Sequence, residues 1–479
     1  MKKIVDNYKR MAVPAKAAMW FAVSNILQKG ISLISTPIFT RIMSTSQYGT
    51  YTLYQSWLSI IAVFTTLNLY SGVLNNGLTQ HEDDKKELFI SFQSLASLMT
   101  VVLFGVYLFH VQWFNSIIEL PFALVVVMFI QMFFEPSFLY WSVEQRYDFK
   151  YKTLVLITFL YSFISVLVGV ISVLLFSHKE YARILSFSGI TAIIGAFFYF
   201  KNCYYAKKIW SVKYWKFALR FSLPLIPHYL ASSILNQADR IMISKMVGKD
   251  EAAIYGIAYT LSMMMTLITN AIGNTYIPYV YKAIKKSEWD KIIKITNIII
   301  IIVGGIVLCS ILFGPELLLL FGSSNYYEAR WIIPPVALSV FFSFLYTVYG
   351  SIEFYFEKTK LVMIASIVTA VINIGLNYIF IGLFGYLAAG YTTLISYILF
   401  VCFHFLFSKK IMKQNKITNI FDNRQIFLVS IIMIGCMFIF VCLYSFAMIR
   451  YAILLFLLFL AFYRRKKLNK IFSMIKGNK

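Results

Sequence analysis

Long apolar runs, each closed by a short polar or basic stretch, repeat along the whole chain. A helix that crosses a bilayer needs about 20 mostly apolar residues. By that measure the sequence predicts helices over 15–37, 51–75, 88–110, 118–140, 153–176 and 184–200. It predicts further ones over 218–244, 253–278, 293–314, 332–356, 361–383, 386–407, 426–447 and 450–463. The fold class is therefore an all-α polytopic membrane protein of about 14 transmembrane helices. The last pair is the weakest division, because Arg450 is the one charge between Ile426 and Tyr463.

An even number of spans puts both termini on one side, and the excess of Lys and Arg in inner loops says which. Lys2, Lys3, Lys9 and Arg10, the connections 201–216, 282–294 and 408–425, and the tail from Arg464 onward are strongly basic. On this assignment about 34 basic residues lie inside, against about six outside (Arg41, Lys179, Arg183, Lys249, Arg330 and Arg450). Both termini are expected in the cytoplasm. The connections are short, and the longest outer one, near 320–331, is an ordinary connector. Function must then sit between helices.

One pattern occurs twice. Thr40-Arg41-Ile42-Met43-Ser44 precedes Tyr48-Gly49-Thr50-Tyr51; half a chain later Asp239-Arg240-Ile241-Met242-Ile243-Ser244 precedes Tyr255-Gly256-Ile257-Ala258-Tyr259. Each copy falls at the outer end of the first helix of a half. Chance similarity in apolar sequence is the alternative, but agreement of position within each half argues against it. Six helices separate the copies, so the halves share orientation about an axis along the membrane normal, as in other two-lobed carriers. The expected organisation is an N-terminal lobe over 1–216, a C-terminal lobe over 217–410, and two further helices with a basic tail over 411–479.

Polar side chains recur inside the runs. A charge at the bilayer centre costs about 2.5–3.5 kcal/mol on insertion scales, so each one faces a cavity or a partner. Asn25, Lys29, Ser32, Thr36 and Thr40 share one face of the first helix. Lys29 lies about 21 Å along it, past the midplane, where it either faces a cleft or snorkels to the outer interface. The seventh helix carries Tyr229, Ser232, Ser233, Asn236, Asp239 and Arg240, and Pro224 and Pro227 should kink its inner end. Asp239 and Arg240 are adjacent, point about 100° apart, and should find partners on other helices. The eighth offers Ser262, Thr266, Asn270 and Asn274; the tenth Ser339, Ser343, Tyr346, Gly350, Glu353 and Glu357. Gln131 and Glu135 lie on the fourth, Asn373 and Asn377 on the eleventh, and Asn68, Ser71 and Asn75 on the second.

The simplest arrangement is two six-helix lobes around a hydrated cleft. Lys29, Arg41, Arg240 and Lys245 would make its outer part cationic, with Arg220 at the inner end. Such a cleft attracts an anion such as phosphate. Glu135, Asp239 and Glu353 are candidates for proton or sodium coupling, or else counter-charges to the cations.

Composition changes the picture mainly by exclusion. In 479 residues, 44 Lys and Arg against 20 Asp and Glu give +24, which in a soluble protein would suggest nucleic acid. Only 13% of residues are charged and 60% are hydrophobic, so the excess reports inner loops, and no nucleic-acid partner is expected. The basic start lacks a short apolar core and a cleavage site, so the first span should be retained. The five cysteines show no metal spacing and no disulfide framework. Phosphate-loop, dinucleotide, zinc-protease and hydrolase motifs are absent, and the five histidines form no i, i+4 pair. Neither an enzyme nor a metal or organic cofactor is expected. A polysaccharide polymerase, the competing enzyme class, needs a large outer loop, which the sequence lacks.

Phe39-Thr40-Arg41-Ile42-Met43-Ser44 with Tyr48-Gly49-Thr50-Tyr51, and Phe221-Ser222-Leu223-Pro224-Leu225 with Asp239-Arg240-Ile241-Met242, resemble the bacterial Wzx-type polysaccharide flippases. These belong to the multidrug/oligosaccharidyl-lipid/polysaccharide exporter superfamily. The resemblance covers essentially the whole chain. It implies ion-driven alternating access that moves an undecaprenyl-diphosphate-linked oligosaccharide from the inner to the outer leaflet of the cytoplasmic membrane, for O-antigen, capsule or exopolysaccharide assembly. It implies that the diphosphate meets Lys29, Arg41 and Arg240, and that 426–463 guides the lipid tail. A monomer working beside a polymerase and a chain-length regulator is the implied setting. A lipid II flippase and a multidrug antiporter are the alternatives within the superfamily.

Overall fold

The computed structural model describes residues 13–205, 208–417 and 420–463. Long helices stand where the apolar runs predict them. In the first half these are α1 (Val13–Ile42), α2 (Thr45–Thr66), α3 (Lys85–Phe109), α4 (Phe122–Tyr147), α5 (Tyr151–Leu175), α6 (Lys179–Tyr205) and α7 (Ile226–Met246). The second half holds α8 (Lys249–Lys285, interrupted at Met264), α9 (Trp289–Leu312), α10 (Ile333–Tyr355), α11 (Thr359–Phe384), α12 (Ala388–Gln414), α13 (Asn423–Cys442) and α14 (Ala447–Tyr463). Ten described helices are long and apolar enough to cross a membrane. α1, α2, α7 and α14 fall outside that set as far as their described residues go.

Two expected spans are redrawn. The helix expected over 51–75 ends at Thr66, since Leu67 and Asn68 both turn to positive φ (48° and 51°). The Thr66 hydroxyl accepts from the Asn68 amide and so satisfies the turn. Asn68 and Ser71 therefore lie in that turn, and Asn75 in the separate short helix Val73–Gln80, so they form no stripe on α2. The span expected over 218–244 is divided as Pro224 and Pro227 require: Val212–Ser222, one 3-10 turn, then α7. The doubtful split near Arg450 is real. α13 runs into a 3-10 turn at Leu443–Ser445, and α14 restarts at Ala447.

Chain packing divides into two compact units, with the boundary after Ala253. In the first, α4 packs on α6, α1 on α5, and α7 on α2. The core joining α2, α3, α4 and α6 is built on Leu53, Tyr54, Leu124, Met128 and Ile184. In the second unit α10 lies against α12, α9, α8 and α13, and is the most enclosed helix described. The repeat assigns α7 to the later half of the chain, whereas by contact it belongs with α2. A repeat follows chain order, while packing follows whichever faces meet.

Candidate functional site

In the first unit the repeated motif turns out to be largely architecture. Ser44 caps α2: its hydroxyl accepts from the Gln47 amide (3.2 Å), and the Gln47 side chain accepts from the Ser44 amide (3.0 Å). Tyr48 is buried and hydrogen-bonded to Thr36 of α1. Gly49 meets the turn between α7 and α8, where a Cβ would overlap the Lys249 carbonyl. Thr45 donates to Asp250 in the same turn. The pattern thus fastens α1 to α2 and α2 to the end of α7.

Above that joint sits a cation that sequence reasoning assigned to an outer loop. Arg183, near the start of α6, is only 6% exposed. Its guanidinium lies 3.8 Å from the Phe39 ring centre and 4.7 Å from that of Tyr51, and donates to the Tyr51 hydroxyl at 3.2 Å. No carboxylate pairs with it among the described residues, and its Nε and Nη1 have no hydrogen-bond partner. Aromatic faces replace the counter-ion. Gly169 of α5 leaves the room: a Cβ there would stand 2.8 Å from Nη1 and 3.1 Å from Phe39. Two motif aromatics around an Arg were a signal, but a partner 130 residues away has no periodicity to betray it.

Arg240 is half-buried on α7, and its Nη1 donates to Gln237 Oε1 one turn earlier (2.5 Å). Gln237 Oε1 also accepts from Ser56 of α2 (3.2 Å), so the expected link to another helix runs through Gln237. Tyr48 lies in the field of both Arg183 and Arg240, which brings Thr36, Tyr48 and the two arginines into one region. Asp239 is buried, at 1% exposure. Asn25, Lys29 and Arg41 are exposed on α1; Lys245 is exposed in the last turn of α7, and Asn236 is half-buried there. Arg220 is exposed on the separate helix Val212–Ser222. The Ser32 side chain lies outside the described residues. Glu135, half-buried on α4, accepts from Gln131 (2.9 Å); the Tyr54 hydroxyl bridges Gln131 (3.3 Å) and Ser188 (2.8 Å).

In the second unit Asn270 and Asn274 are exposed on α8. Asn373 and Asn377 are buried and tie α11 to α12 through Ser396 and Thr392. Tyr346 is half-buried, its ring centre 4.5 Å from that of His404. Glu353 is fully buried and bonded to His404. Arg450, also placed in an outer loop by sequence, is 3% exposed and docks α14 on the end of α9, donating to Leu312 O and Glu316, both at 2.8 Å.

Comparison of the fold identifies its class. The whole chain resembles a lipid II flippase MurJ in an inward closed conformation, with a TM-score of 0.71 at 15% identity, covering 94% of this chain and 100% of that one. An inward-facing multidrug resistance transporter of the MATE family, in the MOP superfamily, matches with a TM-score of 0.62 at 16% identity over 84% of this chain and 100% of its own. The fold is that of the MOP transporters. The sequence narrows this: residues 15–284 match the polysaccharide biosynthesis protein family, to which the chain belongs, and 224–379 match the MatE family. A curated relative, the Lsg locus putative protein 1 of Haemophilus influenzae, is 27% identical over 170 residues. That match spans 33% of this chain and 40% of the relative's length.

Proposed function

We propose that the chain carries an undecaprenyl-diphosphate-linked oligosaccharide from the inner to the outer leaflet of a bacterial cytoplasmic membrane, with both termini in the cytoplasm. The observation that carries this reading is a polysaccharide-biosynthesis family match over the helices that present Lys29, Arg41, Arg240 and Lys245. Lys29 and Lys245 make no ion pair among the described residues, which leaves their charge available to a diphosphate. Polar positions at Asn25 and Asn236 in the first unit would contact sugars. Transport is driven by proton or sodium movement through acids such as Glu135, Asp239 or Glu353. The carrier is a monomer that hands its cargo to a polymerase and a chain-length regulator. The glycan enters O-antigen, capsule or exopolysaccharide.

The test is lipid extraction from a deletion strain, with mass spectrometry of polyprenyl-linked glycans and a leaflet assay. Repeat units trapped on the inner face support the reading. Trapped lipid II would assign a lipid II flippase instead, the second reading that the MurJ-like fold favours. No accumulation would point to a multidrug antiporter.

A further inference from the structure

Glu353 of α10 and His404 of α12 form a pair unlike any other described in this protein. His404 Nδ1 stands 2.7 Å from Glu353 Oε1, and both side chains are 0% exposed. The other atoms of the pair, Glu353 Oε2 and His404 Nε2, have no hydrogen-bond partner. Aromatic rings close the site: the centres of Tyr346 and Phe400 each lie 4.5 Å from the imidazole. Tyr349, one turn from Glu353, is already bonded to Asn423 of α13, and Tyr276 of α8 to Thr296 of α9. The charged residues of the neighbouring helices, among them Lys282, Asp290, Lys294, Lys360 and Arg424, stand exposed near helix ends. No other ion pair to Glu353 occurs among the described residues.

We propose that Glu353 and His404 together bind a single exchangeable proton and form a proton site of this transporter. Net charge in a dry interior is costly, so the pair is tolerated with one proton and neutral overall, whichever atom carries it. Removing that proton would bury a lone anion, and adding a second would bury a lone cation. The proton therefore stays while α10 and α12 are packed together and leaves only when water enters between them. Opening of this helix pair is thereby linked to proton release. Its use for coupling rests on the reading of the chain as an ion-driven carrier; the binding itself does not.

The experiment is hydrogen–deuterium exchange of full-length protein in lipid nanodiscs from pH 5 to 8.5. It follows peptides of α10 and α12, with rates divided by the intrinsic amide rate at each pH. Each opening of the wild-type pair releases its proton, so wild-type opening should rise with pH, by up to tenfold per unit. In Glu353→Gln the dry site holds no proton and opening lets water bring one in, so opening should increase as pH falls, the reverse of wild type. In His404→Gln the carboxyl alone holds the proton, so opening should still rise with pH but from a lower onset than in wild type, which also serves if the Glu353 variant does not fold. A flat wild-type profile, a Glu353→Gln profile with the wild-type sign, or a His404→Gln onset unchanged from wild type each overturns the proposal. None of these outcomes depends on which lipid is carried, so failure of the flipping experiment and failure of this one remain separate results.

Discussion

The buried guanidinium of Arg183 makes a quantitative demand on its neighbours. Gly169→Ala adds a methyl group 2.8 Å from Nη1 and 3.1 Å from the Phe39 ring, both inside contact distance. The guanidinium can yield only by leaving the faces it rests on at 3.8 and 4.7 Å or by dropping its hydrogen bond to Tyr51. Overpacking of this kind costs about 1–3 kcal/mol. The same substitution in a helix interior gains about 0.8–1 kcal/mol from Ala over Gly, which masks part of the loss. A double-mutant cycle with Arg183→Ala removes the helix term, because it is common to both backgrounds. With Arg183 truncated, the new methyl occupies vacated space and Phe39 can relax. The cycle should therefore show a coupling energy of about 1–3 kcal/mol, with Gly169→Ala harmful in wild type and neutral or helpful in Arg183→Ala. Reversible unfolding of the purified protein in mixed micelles measures it. Additivity within about 0.5 kcal/mol would refute the claim that Gly169 exists to seat the arginine.

Lys29→Ala or Arg240→Ala should lower transport about 10- to 100-fold with normal protein in the membrane, from a lost charge-assisted contact of about 1.5–3 kcal/mol. Normal surface glycan in both variants at native expression would remove these residues from the site. Glu316→Ala strands the buried Arg450 and should cost about 2–4 kcal/mol, read as earlier unfolding and protease cutting before α14; an unchanged profile would reject the docking role. Burial raises the carboxyl of Asp148, in the turn after α4, but hydrogen bonds from Lys150 and Lys85 outweigh it and hold it below the usual carboxylate range. Its stabilisation is then present at neutral pH and lost as pH falls through that lowered value. Because the side chains are partly exposed, Asp148→Asn should cost no more than about 1 kcal/mol at pH 7 and nothing at pH 2. A penalty that persists at pH 2 would contradict the sign.

Helix number, helix type and membrane residence were legible in the sequence because each long helix satisfies its own backbone hydrogen bonds, so a local run of apolar residues suffices to specify it. Kinks were legible for the same reason, since Pro224 and Pro227 act on their own helix. The polar stripe of α1 was visible, and the structure leaves its Asn25 and Lys29 exposed. What periodicity does not carry is the partner. Arg183 and Arg450 look like outer-loop cations in one dimension, yet both are buried, one on aromatic rings and one on Glu316. His404 was one of five scattered histidines until α10 and α12 packed together and set it on Glu353. The repeated Arg-Ile-Met and Tyr-Gly motif was legible as a pattern, but only contact showed that its first copy caps α2, admits the Lys249 carbonyl and surrounds a buried arginine. Local hydrogen bonding and hydropathy are properties of a segment and can be read from it. A buried charge must be answered by a group from elsewhere in the chain, and tertiary packing alone decides which group that is.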